Sequence, residues 1–157
     1  MTRRRRLQRG FTLVEVIVAF TILTLLTSMA VPLARGKVRR ERERELRYAL
    51  REIHTAIDHY KDMADRGELG QIKADTEGYP ETLEVLVEGV KMGTGDKKVK
   101  FLRRIPRDPM TKSTDWGKRS MQDDPKSPGG GGGGKHVFSV FTKSTEKAPD
   151  GTAYAEW

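Results

Sequence analysis

Gly10-Phe11-Thr12-Leu13-Val14-Glu15 opens an apolar run that continues to Leu33 and holds a single ionisable side chain, Glu15. The 23 residues from Phe11 to Leu33 are enough, as a helix, to cross a bilayer core of about 30 Å. Four consecutive arginines, Arg3 to Arg6, precede the run, and a second basic group, Arg35, Lys37, Arg39 and Arg40, follows it. A carboxylate inside a membrane helix costs on the order of 2.5–3.5 kcal/mol on insertion scales. A chain that keeps one there must offset that cost, which marks Glu15 as the first functional residue.

The same residues resemble the N-terminal signal of type IV pilins and type II secretion pseudopilins. That signal is a short basic leader ending in glycine, followed by Phe-Thr-Leu-x-Glu at the head of a hydrophobic helix. Gly10 matches the last leader residue, Phe11 the first mature residue, Glu15 the helix glutamate, and Pro32 a proline that this family often carries. The resemblance implies cleavage after Gly10 by a prepilin peptidase on the cytoplasmic side, then N-methylation of Phe11. It also implies a single-pass inner-membrane anchor, a C-terminal domain in the periplasm and assembly into a periplasmic filament. The implied partners are other copies of the chain, minor pseudopilins and an inner-membrane assembly platform.

The chemistry of the residues agrees with this. Cleavage would free a charged amine at Phe11, and Glu15 of one subunit can pair with the Phe11 amine of its neighbour. A paired charge is far less costly in apolar surroundings than a lone one. A plain anchor with a tolerated acid leaves Gly10-Phe11 and the arginine leader unexplained. Two other export readings would discard the helix. Thr2 to Gln8 loosely resembles a twin-arginine signal, and Ser28-Met29-Ala30 offers a small-residue site to ordinary signal peptidase. The acid within the apolar core and the length of the run argue against both.

At 157 residues the chain has room for an anchor and one small domain. Charged residues make up 33% and hydrophobic ones 36%, and the anchor takes much of the latter, so the remaining core is small. The formal net charge is +8, and losing the five leader arginines (Arg3, Arg4, Arg5, Arg6 and Arg9) brings it to +3. The basic character is therefore largely a topology signal, and no nucleic-acid partner is expected from it. A membrane-anchored nucleic-acid-binding protein drawing on Arg39 to Arg51 is the remote alternative, opposed by the glutamates interleaved in that run. With no cysteine, disulfides, thiolate metal sites and cysteine nucleophiles are excluded.

The spacing predicts that the helix continues well beyond Pro32. Lys37 to Arg47 carries Lys37–Glu41, Arg39–Glu43 and Glu43–Arg47 at i,i+4. From Leu46 an apolar stripe of period 3.6 runs through Ala49, Leu50, Ile53, Ala56, Ile57, Tyr60, Met63 and Ala64, so one face packs on a domain. Gly67 and Gly70 end the helix, and Pro32 and Gly36 are the expected kink points. Gly78-Tyr79-Pro80 reads as a turn and Glu81 to Val90 as a short helix. Gly93 to Lys98 reads as a polar loop, and Ile105 to Pro109 as an extended passage. Asp115 to Met121 and His136 to Thr142 read as strands, with a glycine-rich loop, Gly129 to Gly134, between them. Thr152 to Trp157 is expected to pair as a last strand.

This layout extends the resemblance, most closely to the major, G-type pseudopilin, through Gly78-Tyr79-Pro80-Glu81-Thr82-Leu83, Phe101 to Pro109, Val137 to Ser144 and Asp150-Gly151-Thr152. A major or minor type IV pilus subunit is the nearer alternative. The resemblance implies an α+β, pilin-like fold, with a long N-terminal helix packed on a small antiparallel sheet domain. The expected organisation is a cleaved leader over residues 1–10, a transmembrane and filament-core helix over 11–34, and a soluble domain over 35–157. The expected function is a non-enzymatic filament subunit that polymerises through its N-terminal helix to drive protein export.

No cofactor is expected beyond one candidate. The G-type family usually holds calcium in the loop before its last acidic segment, which makes Asp150 a weak calcium candidate here. Thr142 to Asp150 carries two acids and two lysines, and the family's paired acids are missing. Asp123-Asp124 is a second oxygen-rich spot. Gly129 to Gly134 with Lys135 satisfies the P-loop glycine–lysine spacing, but His136 stands where Ser or Thr is required. His54 and His59 are five apart on a helix and do not share a face, so they do not make a zinc pair. Ser139 with His136 and Asp150 lacks the nucleophile elbow of a hydrolase. Trp116, Trp157 and Tyr79 read as core or loop anchors.

Overall fold

The computed structural model describes residues 11–70, 72–93, 95–124 and 135–157, with the side chains of residues 29–35 and of Ala74 also left aside. The leader with Gly10 and the Gly129–Gly134 loop lie outside the described residues. Two compact units are present, one ending at Glu41 and one running from Arg42 to Trp157.

Helix α1, Leu13–Asp65, passes through both units, and its helical assignment continues across Pro32 and Gly36 without a break. In the second unit its apolar stripe is the spine of the core. Leu46, Ala49, Leu50, Ile53, Ala56, Ile57, Tyr60 and Met63 are all buried, as the 3.6 period requires. The helix ends on Gly67, which takes a positive φ of 68°. Gly67 N–H donates to the Ala64 carbonyl and Glu68 N–H to the Met63 carbonyl, both at 3.0 Å. That pairing satisfies two otherwise orphaned carbonyls of the last turn, and glycine reaches the left-handed conformation without strain.

Helix α2, Leu83–Glu88, lays Leu83 and Leu86 on this core. Strands β1, Val90–Lys91, and β2, Lys98–Val99, form an antiparallel hairpin around the polar stretch from Gly93, with Val90 at the end of the expected helix in β1 instead. The Leu86 carbonyl accepts from the N–H groups of Phe101 and Leu102, at 2.9 and 3.0 Å, which ties the hairpin's exit to α2. Phe101 then meets Tyr60 edge-on, with ring centroids 5.3 Å apart.

Strands β3, Gly117–Arg119, and β4, Ser139–Phe141, pair antiparallel with Lys118 opposite Val140. They fall inside the two stretches expected to be strands. Among the described residues the β-structure is therefore two separate two-stranded ribbons rather than one sheet. Trp116, just before β3, is buried and donates from its indole Nε1 to the Pro106 carbonyl at 2.8 Å. This bond holds the proline-rich passage 105–109 against the core.

The expected last strand is not formed. Among the described residues only an isolated bridge, Lys147 with Ala153, pairs there, and Tyr154–Glu156 is a single 3-10 turn. Tyr154 is fully buried, meets the Trp157 ring edge-on at 4.9 Å and donates its hydroxyl to Glu43 of α1 at 2.7 Å. Burying one aromatic ring and stacking the next on it wins over strand alternation, which would turn neighbouring side chains to opposite faces.

Candidate assembly site

The head of α1 is built by Thr12. Its hydroxyl oxygen accepts the Glu15 N–H at 3.3 Å, and its carbonyl accepts the Val16 N–H at 3.2 Å. Thr12 is thus the N-cap and Glu15 the third helical residue, the Thr-x-x-Glu spacing of a capping box. The sequence carries that signal in Thr12-Leu13-Val14-Glu15. The cap fixes where the helix begins, and so fixes the single turn that separates Phe11 from Glu15. The Glu15 carboxylate is exposed in the first turn, where the helix dipole favours negative charge. Among the described residues no cation lies within ion-pairing distance of it.

Phe11 is 81% exposed, and every large apolar side chain from Leu13 to Leu26 is more than half exposed. The exposure goes all round the helix. Such a helix has no solvated face and is made for apolar surroundings on every side. Three of its hydroxyls are already satisfied: Thr21, Thr24 and Thr27 donate them to the carbonyls four residues back, at 2.8, 2.8 and 2.7 Å. Among the described residues no helix is both long and apolar enough to cross a membrane. The described side chains of the apolar run stop at Ser28, and the end of that run falls among residues 29–35.

The three histidines have separate settings. His59 packs edge-on to Phe101, with centroids 5.4 Å apart. His136 is buried, stacks on Tyr79 and accepts the Met121 N–H at its Nε2. His54 joins α1 to β4: its Nε2 lies 3.1 Å from Ser139 Oγ and accepts the Val140 N–H at 3.4 Å. Ser139 therefore partners His54, and not His136 or Asp150. Nothing in the spacing of the sequence announces this contact, because its ends lie 86 residues apart.

Accepting from a backbone N–H requires His54 to be neutral. Burial lowers its pKa, opposed first by the negative charge of Asp58. A histidine with a lowered folded pKa contributes stability that is full above the unfolded value of about 6.5 and is lost as pH falls below it. Thermal melts from pH 7.5 to 5 are expected to show a falling Tm in the parent and a flatter profile in His54→Gln, whose side-chain oxygen still accepts from Val140. Identical pH profiles would exclude His54 as the group responsible.

A calcium ion at Asp150 would depend on the oxygen donors around it. Calcium takes six to eight oxygens, several from carboxylates. Asp150 Oδ1 already accepts the Thr152 N–H at 3.0 Å and its hydroxyl at 2.7 Å, closing a local turn. The Thr152 hydroxyl, ahead of the backbone bond, lowers the pKa of Asp150. Asp123 caps a turn likewise, its Oδ2 accepting the Ser120 N–H at 2.7 Å. Among the described residues no three His, Cys, Asp or Glu side chains come together. The residues present do not fit a calcium cage. Lys135, the lysine of the glycine run, pairs with Asp75 at 3.0 Å.

A family model described as the prokaryotic N-terminal methylation motif matches residues 5–31, the leader and the head of α1. The class is that of prepilin-like proteins. Over 112 residues the chain is 30% identical to the type II secretion system core protein G of Pseudomonas aeruginosa, across 68% of this chain and 70% of that protein. Over 152 residues it is 28% identical to a protein of the same name from Dickeya chrysanthemi, across 92% of this chain and 82% of that protein. No solved structure matches it. The chain belongs to the type II secretion system core protein G family and is a pseudopilin subunit of that system.

Proposed function

We propose that the chain is cut after Gly10 by a prepilin peptidase, methylated at the new Phe11 amine, and polymerised through the head of α1 into a filament that drives protein export. The observation that carries this reading is a capped helix, apolar on every side, with one carboxylate in its first turn that has no ion-pair partner among the described residues. Residues 11–34 would sit in the inner membrane before assembly and in the filament core after it. The domain from residue 35 would lie in the periplasm and form the filament surface. Pro32 lacks the N–H that would bond back to Ser28, and Gly36 adds backbone freedom, so bending of the helix between anchor and domain would concentrate there. Minor pseudopilins and an inner-membrane platform are the expected partners. The role is structural rather than catalytic.

Mass spectrometry of the membrane-extracted protein tests the first step. The expected mature chain begins at Phe11 and carries one methyl group on its amine. Gly10→Val should leave the full-length precursor in a peptidase-positive cell. A mature chain beginning at Val31, or an intact leader on the parent, would overturn the reading.

A further inference from the structure

We propose that the closing segment of the domain, residues 142–157, is fixed without a divalent cation, by the buried carboxylate of Asp108 and by Glu43 and Arg47 of α1.

Asp108 is fully buried in the passage between the two ribbons. Its Oδ2 accepts the Thr142 hydroxyl at 2.6 Å and the Thr111 hydroxyl at 2.9 Å, and its Oδ1 accepts the Met110 N–H at 2.8 Å. Three donors thus replace the water that a buried carboxylate loses, and hydrogen bonds to an ionised group are the strong ones. Asp108 also fixes its own loop through the backbone, donating to the Ser113 carbonyl and accepting from the Lys112 N–H, both at 2.8 Å. Thr142, itself fully buried, is the first residue after β4, so this node clamps the start of the closing segment.

From Thr142 onward the segment braces itself. The Thr142 hydroxyl oxygen accepts the Ser144 N–H, and the Ser144 hydroxyl oxygen accepts the Glu146 N–H. Ala148 N–H donates to the Thr152 carbonyl at 2.8 Å across the Asp150–Gly151 turn. The far end is held by α1, with Tyr154 bonded to Glu43 and the Arg47 guanidinium 4.3 Å from the centre of the Trp157 ring. A guanidinium over an indole face is a favourable contact in its own right. Lys143, meanwhile, bonds Asp115 at 2.5 Å, placing an ammonium beside that carboxylate. A cation would have to displace these bonds and approach two lysines, Lys143 and Lys147, with only Glu146, Asp150 and Glu156 as acidic side chains of the segment.

The test is thermal unfolding of the full-length protein in detergent, in EGTA and in millimolar calcium chloride. The parent is expected to melt at the same temperature in both, within about 1 °C, since a ligand that binds the folded state raises Tm by mass action. Thr142→Val keeps the volume and removes the donor to Asp108, and Asp108→Asn removes the charge. Each should lower Tm by several degrees, equally with and without calcium. A calcium-dependent rise of several degrees in the parent would overturn the proposal. So would variants that melt like the parent, or whose loss calcium repairs. The readout is stability, so it stands or falls separately from leader cleavage and assembly.

Discussion

Glu15→Leu subunits are expected to insert into the membrane and lose their leader normally, yet fail to form filaments. The argument begins with the cost of the acid. Removing a carboxylate from an apolar helix relieves on the order of 2.5–3.5 kcal/mol on insertion scales, so insertion should hold or improve. On the proposed reading, cleavage depends on the Gly10-Phe11 junction and the arginine leader, which the substitution leaves alone. Assembly is different. Thr12 caps the helix so that Glu15 lies about 6 Å along the axis from Phe11, at 1.5 Å per residue. Within one chain that carboxylate can lean toward its own amine, and in a staggered bundle it can meet the amine of the next subunit instead. Only the second pairing makes polymerisation depend on the acid. The measurement is the yield of sheared filaments, or of crosslinked ladders in the membrane, beside a mass-spectrometric check of the mature end. Assembly at the parent's level would show that the carboxylate is not an assembly contact.

The parts of the molecule that were legible in the sequence are those written in local periodicity. Nine apolar positions from Leu46 to Ala64 repeat at helical spacing, and eight of them are buried in the domain core. Val137 to Phe141 is rich in β-branched and aromatic residues, and β4 forms within it. The β1–β2 hairpin escaped notice because each strand is two residues long, too short for alternation to show. Its geometry comes from Gly89, with φ of 82°, where a Cβ would lie 2.6 Å from the Val99 carbonyl oxygen. Asp108 read as part of an extended passage, because the prolines around it dominate the local pattern. Its three donors come from the turn that follows it and from Thr142, 34 residues on. The spacing of His54 to His59 on the helix carries no sign of its partner, the edge of β4. At the head of α1 the Gly-Phe junction, Glu15 and the leader were all readable, and the Thr12 cap was readable by the capping-box spacing.

Gly117→Ala is expected to be among the most damaging substitutions in the domain, although the change is one methyl group. Gly117 faces Phe141 directly across the β3–β4 ribbon. A Cβ at Gly117 would overlap the Cζ and Cε2 atoms of the Phe141 ring and lie 2.7 Å from Cε1. The glycine is there because the far end of the Phe141 ring occupies the space that a side chain would take. The ring has no easy retreat. Phe141 is buried, and the Arg119 guanidinium sits 4.2 Å from its centroid while donating to the Ala155 carbonyl at 3.0 Å. Moving the ring would therefore disturb the hold on the 3-10 turn as well. Overpacking of a rigid site costs about 1–3 kcal/mol and sometimes more, and a displaced ring puts this case at about 3 kcal/mol or above. Urea unfolding of the full chain in detergent measures it. Steric conflict makes a second, sharper demand: Phe141→Leu, costly alone, should cost less in the Gly117→Ala background, because the smaller side chain makes room for the methyl. The double variant should therefore be more stable than the two single losses predict. Strict additivity would mean that Gly117 is required for its backbone alone, and that the Phe141 ring is not what excludes a side chain there.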